Sequence, residues 1–174
     1  MSDLTNYLIG DDADYMDYIF SWPIFENENK LKAIIVDIDD TLSNAEHRRK
    51  HVESEPKNWH RFFQGMQCDT VNLHIKKVMD NYNSKVILLT DRTMQYKDIT
   101  EKWLNDNNIK YNLLIMKPNE IKYINDFMFK EQIYKKQISR QYNVEYAIDD
   151  RQVVREMFEA LNVKCYHPEY FKNK

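Results

Sequence analysis

The chain has 174 residues, of which 43% are hydrophobic and 30% are charged, a composition typical of one soluble domain with a buried core. Its formal net charge of −3 argues against a broadly basic face for duplex nucleic acid, and no apolar run reaches the ~18 residues of a membrane span. The two glycines, Gly10 and Gly65, are too few for a glycine-rich nucleotide-binding loop.

The N-terminus and the cysteines indicate the cellular setting. The first residues, "MSDLTNYLIGDDADY", lack the basic and apolar segments of a secretory signal, and two cysteines do not make a disulfide scaffold. We therefore expect a cytoplasmic protein that does not contact membranes. The abundance of Asn, Lys, Ile and Tyr hints at an AT-rich genome, such as that of a phage, in which case the setting is the host cytoplasm.

Residues 1–30 are predicted to form an N-terminal extension, and residues 31–174 the main domain. The extension is acidic and aromatic and lacks a clean period, apart from a short helix expected over residues 11–20. Phe20, Trp22 and Phe25 are expected to pack this arm on the domain. Binding of a partner, or of a second copy in a dimer, is the alternative use of these rings, and the sequence does not set the oligomeric state.

From residue 31 onward, apolar strands alternate with amphipathic helices. "LKAIIV", residues 31–36, is a β-branched apolar run that suits a strand buried on both faces. Further strands are predicted at 85–90, 111–116, 144–148 and 163–167, and helices at 69–83, 95–108, 121–141 and 151–161. Asp69 or Thr70 is expected to cap the first of these helices, with Val71 on its buried face. The alternation predicts an α/β fold with a doubly wound parallel sheet.

Polar side chains follow three of the predicted strands. These groups are Asp37 and Asp39 after the first strand, Thr90, Asp91 and Arg92 after the second, and Asp149 and Asp150 after the fourth. Because ligands of such sheets bind beyond the carboxyl ends of the strands, we expect all three groups at one functional edge. So many carboxylates need a counter-charge, and Mg²⁺ is a hard cation that prefers oxygen ligands. The sequence therefore predicts a Mg²⁺ site.

This residue set can support phosphate chemistry. A carboxylate beside the metal can attack phosphorus, and a second acid two positions on can protonate the leaving oxygen and then activate water. A hydroxyl such as Thr90 and a helical lysine can hold the transferring group.

The ordered motifs resemble those of the haloacid dehalogenase (HAD) superfamily of phosphatases. That superfamily has DxDxT after the first strand, Ser or Thr after the second, Lys or Arg on a later helix, and an acidic pair after the fourth strand. Here the motifs read Asp37-Ile38-Asp39-Asp40-Thr41, Thr90, Lys130 and Asp149-Asp150. The resemblance implies a HAD-like Rossmannoid fold and a Mg²⁺-dependent phosphatase.

Over about residues 31–167 the chain looks more narrowly like the 3′-phosphatase domain of phage polynucleotide kinase/phosphatase. The segments that carry this resemblance are "VDIDDTL", "LLTDRT", "DFMFKEQIY" and "YAIDDRQVVREMFEALNVKCY". It implies that Asp37 is the nucleophile and Asp39 the general acid/base. The metal would then be held by Asp37, by the carbonyl of Asp39, and by one or both of Asp149 and Asp150.

The same resemblance assigns Arg48, Arg92 and Asp126 to the substrate site. Asp126 precedes Lys130 by four residues, so the two side chains can pair along one helical face.

Two positions depart from the family pattern. Asp40 stands where glycine is usual, which is tolerable because aspartate adopts unusual backbone conformations more readily than most residues. Asp91 stands where a small residue is usual and adds negative charge near the substrate. The kinase half of the phage enzyme has no counterpart in this sequence, which leaves the polynucleotide substrate open.

Residues 43–68 are predicted to form a small cap insertion, too short to close over the site. It carries a basic run from His47 to His51 that includes Arg48, followed by Trp59, Phe62 and Phe63. Arginines bind phosphate, and aromatic rings stack on bases, so a nucleotide-type substrate is expected. The alternative is that the three rings form a small core of the cap. Lys117, after the third strand, is interpreted as a surface lysine.

The sequence predicts a Mg²⁺-dependent phosphomonoesterase acting on nucleotide-type substrates. The motif match favours polynucleotide 3′-phosphate ends, whereas the acidic charge and small size favour free (deoxy)nucleoside monophosphates. A non-catalytic binding protein on the same fold is one alternative. A phospho-receiver domain is another, although there the acidic pair ends the first strand, the reverse of the order found here.

Overall fold

The computed structural model describes residues 29–53 and 55–174. The short helix predicted over residues 11–20, and the packing expected of Phe20, Trp22 and Phe25, lie outside the described residues.

A five-stranded parallel sheet forms the centre of the described chain. In chain order the strands are β1 (Leu31–Val36), β2 (Ser43–Asn44), β3 (Thr70–Val71), β4 (Lys85–Thr93), β5 (Leu113–Lys117), β6 (Tyr142–Ile148) and β7 (Cys165–Tyr166). The main sheet has the order β5-β4-β1-β6-β7 with every pair parallel, while β2 and β3 form a separate antiparallel pair. The predicted doubly wound parallel sheet is confirmed, and the chain changes winding direction between β1 and β6, where such folds bind ligands.

β1 is buried on both faces, as its apolar sequence predicts. Successive side chains of a strand point to opposite faces. Ala33 and Ile35 therefore enter one hydrophobic core, and Ile34 and Val36 enter the other. All four side chains are at most 2% exposed, so this strand anchors both layers of the domain.

The α-helices of the described residues are α1 (Glu46–Arg49), α2 (Trp59–Gln64), α3 (Leu73–Asp80), α4 (Lys97–Asp106), α5 (Asp126–Ile133), α6 (Ser139–Gln141) and α7 (Gln152–Ala160). Four of them, α3, α4, α5 and α7, cover the two faces of the sheet. The buried side chains of α5 and α7 join the core that contains Ile35, and those of α3 and α4 join the core that contains Ile34. None of the described helices combines the length and hydrophobicity needed to cross a bilayer.

The predicted start of the helix at residue 69 is wrong. Thr70 and Val71 pair with β2 instead, and Asn72 occupies the position before the first helical residue, Leu73. Asp69 cannot cap a helix here because its carboxylate is buried against two arginines. The predicted helix over 121–141 begins only at Asp126, and a π-helical turn joins α5 to α6.

Asn162, directly after α7, allows the cost of a left-handed backbone conformation to be measured. It has a φ of 60°, in the left-handed region that is unfavourable for residues with a Cβ, and its exposed side chain makes no hydrogen bond within the described residues. Asn162→Ala should lower the free energy of unfolding by about 1 kcal/mol, while Asn162→Gly should match or exceed the parent. Urea unfolding measures both, and equal stability of the alanine and glycine variants would contradict this account.

Candidate active site

Asp37 lies directly after β1 and is buried beside Lys130 of α5. Lys130 Nζ lies 2.9 Å from Asp37 Oδ1 and 2.7 Å from Asp149 Oδ2, so one ammonium group bridges two carboxylates. Burial raises the pKa of Asp37 well above its ordinary value, despite the opposing charge of Lys130. A further cation at this point would therefore favour the ionised form that a nucleophile requires.

Asp37, Asp149 and Asp150 form the group best suited to a metal. One carboxylate oxygen of each lies within 4.8 Å of the others. Burial, with added repulsion from Asp149 and Asp40, raises the pKa of Asp150 to about 6, so a cation bound here would favour its ionised form. An all-oxygen, charge-deficient set fits Mg²⁺. The side chain of Asp39 is not part of this group, and the sequence had assigned only its carbonyl to the metal.

The Asp39 carboxylate is instead held by two arginines. Arg92 Nε and Nη2 donate to its two oxygens, each at 2.8 Å, and Arg48 donates to Oδ1 as well. Burial alone would raise the pKa of Asp39, but the charges and hydrogen bonds of Arg92 and Arg48 outweigh burial and lower it to about 2. Asp39 is therefore an anion in the free protein at neutral pH.

Asp69 completes this network, and sequence reasoning missed it. Its oxygens accept from Arg48 Nε and Nη2, both at 2.8 Å, and from Arg92 Nη2 at 3.2 Å. Its backbone carbonyl accepts from the indole of Trp103 at 2.8 Å. Asp69 thus positions both arginines that grip Asp39. The signal in the sequence was ambiguous, because an aspartate before an amphipathic helix also suits a helix cap.

The turn after β1 depends on Asp40. Its φ of 56° is left-handed, which confirms that aspartate replaces the usual glycine at a position needing that conformation. Its side chain accepts from the Ala45 N–H at 3.2 Å and pairs with Arg49 at 2.8 Å. The motif threonine, Thr41, accepts from the Asp150 N–H at 3.0 Å and so joins the first motif to the acidic pair.

The site opens into a cavity of about 790 Å³, in the upper part of the range of about 300–1,000 Å³ for ligand pockets. The site residues predicted from the sequence that line it are Asp37, Asp39, Trp59, Arg92, Asp126 and Asp150. Arg48, Thr90, Lys130 and Asp149 lie buried behind these residues. Thr90 is fully buried, and its hydroxyl accepts from the Arg92 N–H at 3.3 Å.

Aromatic rings form one wall of the cavity. Trp59 stacks near Phe63 with centroids 5.9 Å apart, and Phe63 stacks on Tyr96 at 4.5 Å. No side chain of α2 is buried, and Trp59 is 51% exposed. The three cap rings do contact one another, but they do not form a closed core.

Two charged residues of the β5–α5 segment lie deeper than their sequence suggested. Lys117 is 3% exposed, so its interpretation as a surface lysine is wrong; its Nζ donates to the Ile124 carbonyl at 2.9 Å. Asp126 pairs with Lys130 at 3.4 Å, as predicted, and also with Arg151 at 3.0 Å. Arg151, at the edge of the cavity, was not singled out from the sequence.

The strand order and the acidic cluster at the strand ends are those of a HAD-like α/β protein. The family model "Polynucleotide kinase PNKP phosphatase domain" (HAD_PNKP) matches residues 31–170. The chain belongs to this family, which confirms the resemblance inferred from the motifs.

Two solved structures are similar to the chain. A chain of the Pnkp1/Rnl/Hen1 RNA repair complex is 29% identical with a TM-score of 0.65, and the match covers 84% of this chain and 45% of the other. A second Pnkp1/Rnl/Hen1 complex gives 28% identity and a TM-score of 0.66, covering 84% and 50%. This chain thus spans about half the length of those chains. No curated protein matches it.

The arginine network predicts a large stability effect for Asp69. Asp69→Asn removes a buried charge that compensates Arg48 and Arg92, so the free energy of unfolding should fall by about 3 kcal/mol. Asp98→Asn is the matched control, since Asp98 is exposed on α4 and makes no ion pair or hydrogen bond within the described residues. The control should stay within about 0.5 kcal/mol of the parent. Equal unfolding midpoints in urea for the two variants would argue against the network.

Proposed function

We propose that this protein is a Mg²⁺-dependent phosphomonoesterase that removes the terminal phosphate from polynucleotide 3′ ends. The observation that carries the proposal is the position of Asp37: a buried carboxylate, bridged by Lys130 to Asp149, at the floor of an open cavity. Membership of the PNKP phosphatase-domain family and the similarity to Pnkp1 chains of an RNA repair complex support a polynucleotide end as substrate.

In the first step, a carboxylate oxygen of Asp37 attacks phosphorus and the ester P–O bond breaks, leaving an aspartyl-phosphate on Asp37. Asp39 delivers a proton to the departing 3′ oxygen. Lys130 holds the attacking carboxylate in place, and Thr90, buried behind the cavity wall, positions the backbone of Arg92 through its hydroxyl. A Mg²⁺ ion held by Asp37, the Asp39 carbonyl and the Asp149–Asp150 pair would supply positive charge against the phosphate oxygens.

Asp39 must gain a proton before it can act as an acid, because it is an anion in the free protein. Arg92 both grips Asp39 and lines the cavity, so an entering phosphate dianion competes for the same guanidinium group. Once Arg92 is engaged by phosphate, burial and the neighbouring negative charge dominate and raise the pKa of Asp39, which then takes up a proton from solvent water before it donates to the leaving oxygen. In the second step Asp39 takes a proton from water as the water attacks phosphorus, the P–O bond to Asp37 breaks, and inorganic phosphate leaves.

The second candidate is a nucleotidase acting on free (deoxy)nucleoside monophosphates. The negative charge of the cavity lining favours this candidate, because carboxylates repel a long phosphate backbone. Besides Asp37 and Asp39, the carboxylates that line the cavity are Asp40, Asp91, Asp126 and Asp150. The stacked aromatic wall suits a base in either substrate.

A substrate panel separates the two candidates. Phosphate release would be measured from a 3′-phosphorylated oligonucleotide, from 3′- and 5′-nucleoside monophosphates, and from p-nitrophenyl phosphate, with Mg²⁺ and with EDTA. We expect the oligonucleotide to be preferred and EDTA to silence all activity. Asp37→Asn should reduce kcat at least about 10³-fold, and Asp98→Asn should not. A preference for one monophosphate would make the protein a nucleotidase, and hydrolysis without metal would contradict the Mg²⁺ assignment.

Trp59 offers a test of base stacking. Trp59→Ala should raise KM for the oligonucleotide roughly fivefold or more, because stacking on an aromatic ring contributes about 1–3 kcal/mol per base. KM for p-nitrophenyl phosphate, which has only one small ring, should rise less, and Trp59→Phe should keep most of the affinity. If both substrates were affected equally, Trp59 would have a packing role only.

A further inference from the structure

The Asp91 carboxylate faces the cavity, and no group of the described residues donates a hydrogen bond to it. Asp91 lies in β4 and lines the same cavity as Asp37. Its side chain is 43% exposed, and within the described residues no hydrogen bond reaches it. The cation found within 4 Å is Lys117, whose Nζ lies 3.9 Å from Asp91 Oδ2, too far for a hydrogen bond.

The Lys117 ammonium group is engaged by other partners than Asp91. It is buried, donates to the Ile124 carbonyl at 2.9 Å, and lies 5.8 Å from the centre of the Phe129 ring. Lys117 lines the same cavity, and its charge, 3.9 Å from Asp91 Oδ2, favours the position of the carboxylate at the cavity wall.

Asp126, beside this pair, has a second unused acceptor. Its Oδ1 atom is buried and has no hydrogen-bond partner within the described residues, although Oδ2 pairs with Lys130 and Arg151. Buried polar atoms are normally paired, so this atom favours a ligand that brings a donor, and the partly exposed Asp91 carboxylate is a second acceptor on the same cavity wall. Burial, with the added charge of Asp126, raises the pKa of Asp91, as expected for a carboxyl group that lacks donors.

We propose that Asp91, positioned by Lys117, accepts a hydrogen bond from the 2′-hydroxyl of a ribose that carries the scissile 3′-phosphate. A bare carboxylate repels a phosphate dianion, and a hydroxyl donor on the same sugar turns that repulsion into a specific contact. The 2′-hydroxyl is on the carbon next to the phosphate-bearing carbon, and deoxyribose lacks it. The inference rests on the proposed function, because it presupposes a 3′-phosphate end as substrate.

Selectivity for ribose over deoxyribose is expected because a deoxyribose end would leave the Asp91 acceptor without a hydrogen-bond donor. A site built to bond a substrate hydroxyl strongly rejects the analogue without it, since the acceptors of the protein then remain unpaired. The protein should therefore prefer RNA 3′-phosphate ends to DNA ends.

The test compares three oligonucleotides of one sequence, each with a 3′-phosphate, whose last sugar is ribose, 2′-deoxyribose or 2′-fluoro-2′-deoxyribose. The parent protein should show a kcat/KM for ribose at least about tenfold above both others. Asp91→Ala should lower the ribose value about tenfold and leave the other two unchanged or higher, so that the ratio approaches one. Asp91→Asn, which keeps a carbonyl acceptor, should restore part of the preference. Asp98→Ala is the matched control and should keep the parental ratio.

Each contrary result has a distinct meaning. Equal rates on ribose and deoxyribose, or an unchanged ratio in Asp91→Ala, would overturn this inference and leave the proposed function standing. An effect of Asp91→Ala that followed the terminal base, or that was equally large on p-nitrophenyl phosphate, would also overturn the assignment to the sugar. Cleavage of p-nitrophenyl phosphate without cleavage of any oligonucleotide would overturn the proposed function and this inference together.

Discussion

Buried carboxylates at the ends of β1 and β6 must be matched by positive charge, and the way they are matched organises the site. Arg48 and Arg92 face Asp39 and Asp69, two cations against two anions. Within the described residues, Lys130 is the cation that bridges Asp37, Asp126 and Asp149. The guanidinium group of Arg151 pairs with Asp126, and its backbone N–H donates to Asp149. The arginine network is balanced, whereas the lysine network is short of positive charge. In the proposed site, a divalent cation would therefore compensate the carboxylates of Asp37 and Asp149, whereas the Asp39 carboxylate already has its counter-charge from the arginines.

The strand order of the sheet separates the arginine network from the lysine network. β1 lies between β4 and β6, so Asp37 at its end meets Asp149 from β6, while Arg92 comes from β4 on the other side. The left-handed turn at Asp40 then leads the chain into β2 and α1, which bring Arg48 back over Asp39. One strand order and one tight turn thus place Asp37 and Asp39, the proposed nucleophile and the proposed acid, in two different electrostatic surroundings.

Much of this could be predicted from local patterns. The apolar runs of the sequence predicted the buried parallel strands. Because the carboxyl ends of parallel strands meet at one edge of the sheet, chain order alone predicted that Asp37 and Asp149 would lie close together. Asp69 and Lys117 could not be predicted in this way. Asp69 has the local appearance of a helix cap, and its arginine partners are 21 and 23 residues away. Lys117 can be buried because the Ile124 carbonyl accepts a hydrogen bond from its ammonium group, a contact that no sequence periodicity reveals.

The depressed pKa of Asp39 links stability to the proposed chemistry. A carboxyl group whose pKa falls from 3.8 to about 2 on folding stabilises the folded state above its unfolded pKa, and that contribution is lost as the pH falls through about 2. At neutral pH the ion pairs of Asp39 with Arg48 and Arg92 are therefore fully formed, and Asp39 is not protonated. In the proposed mechanism, a ligand that competes for Arg92 removes one of the two arginines that hold Asp39. Phosphate binding and protonation of Asp39 are then coupled, so that the proton donor forms when the leaving group is bound.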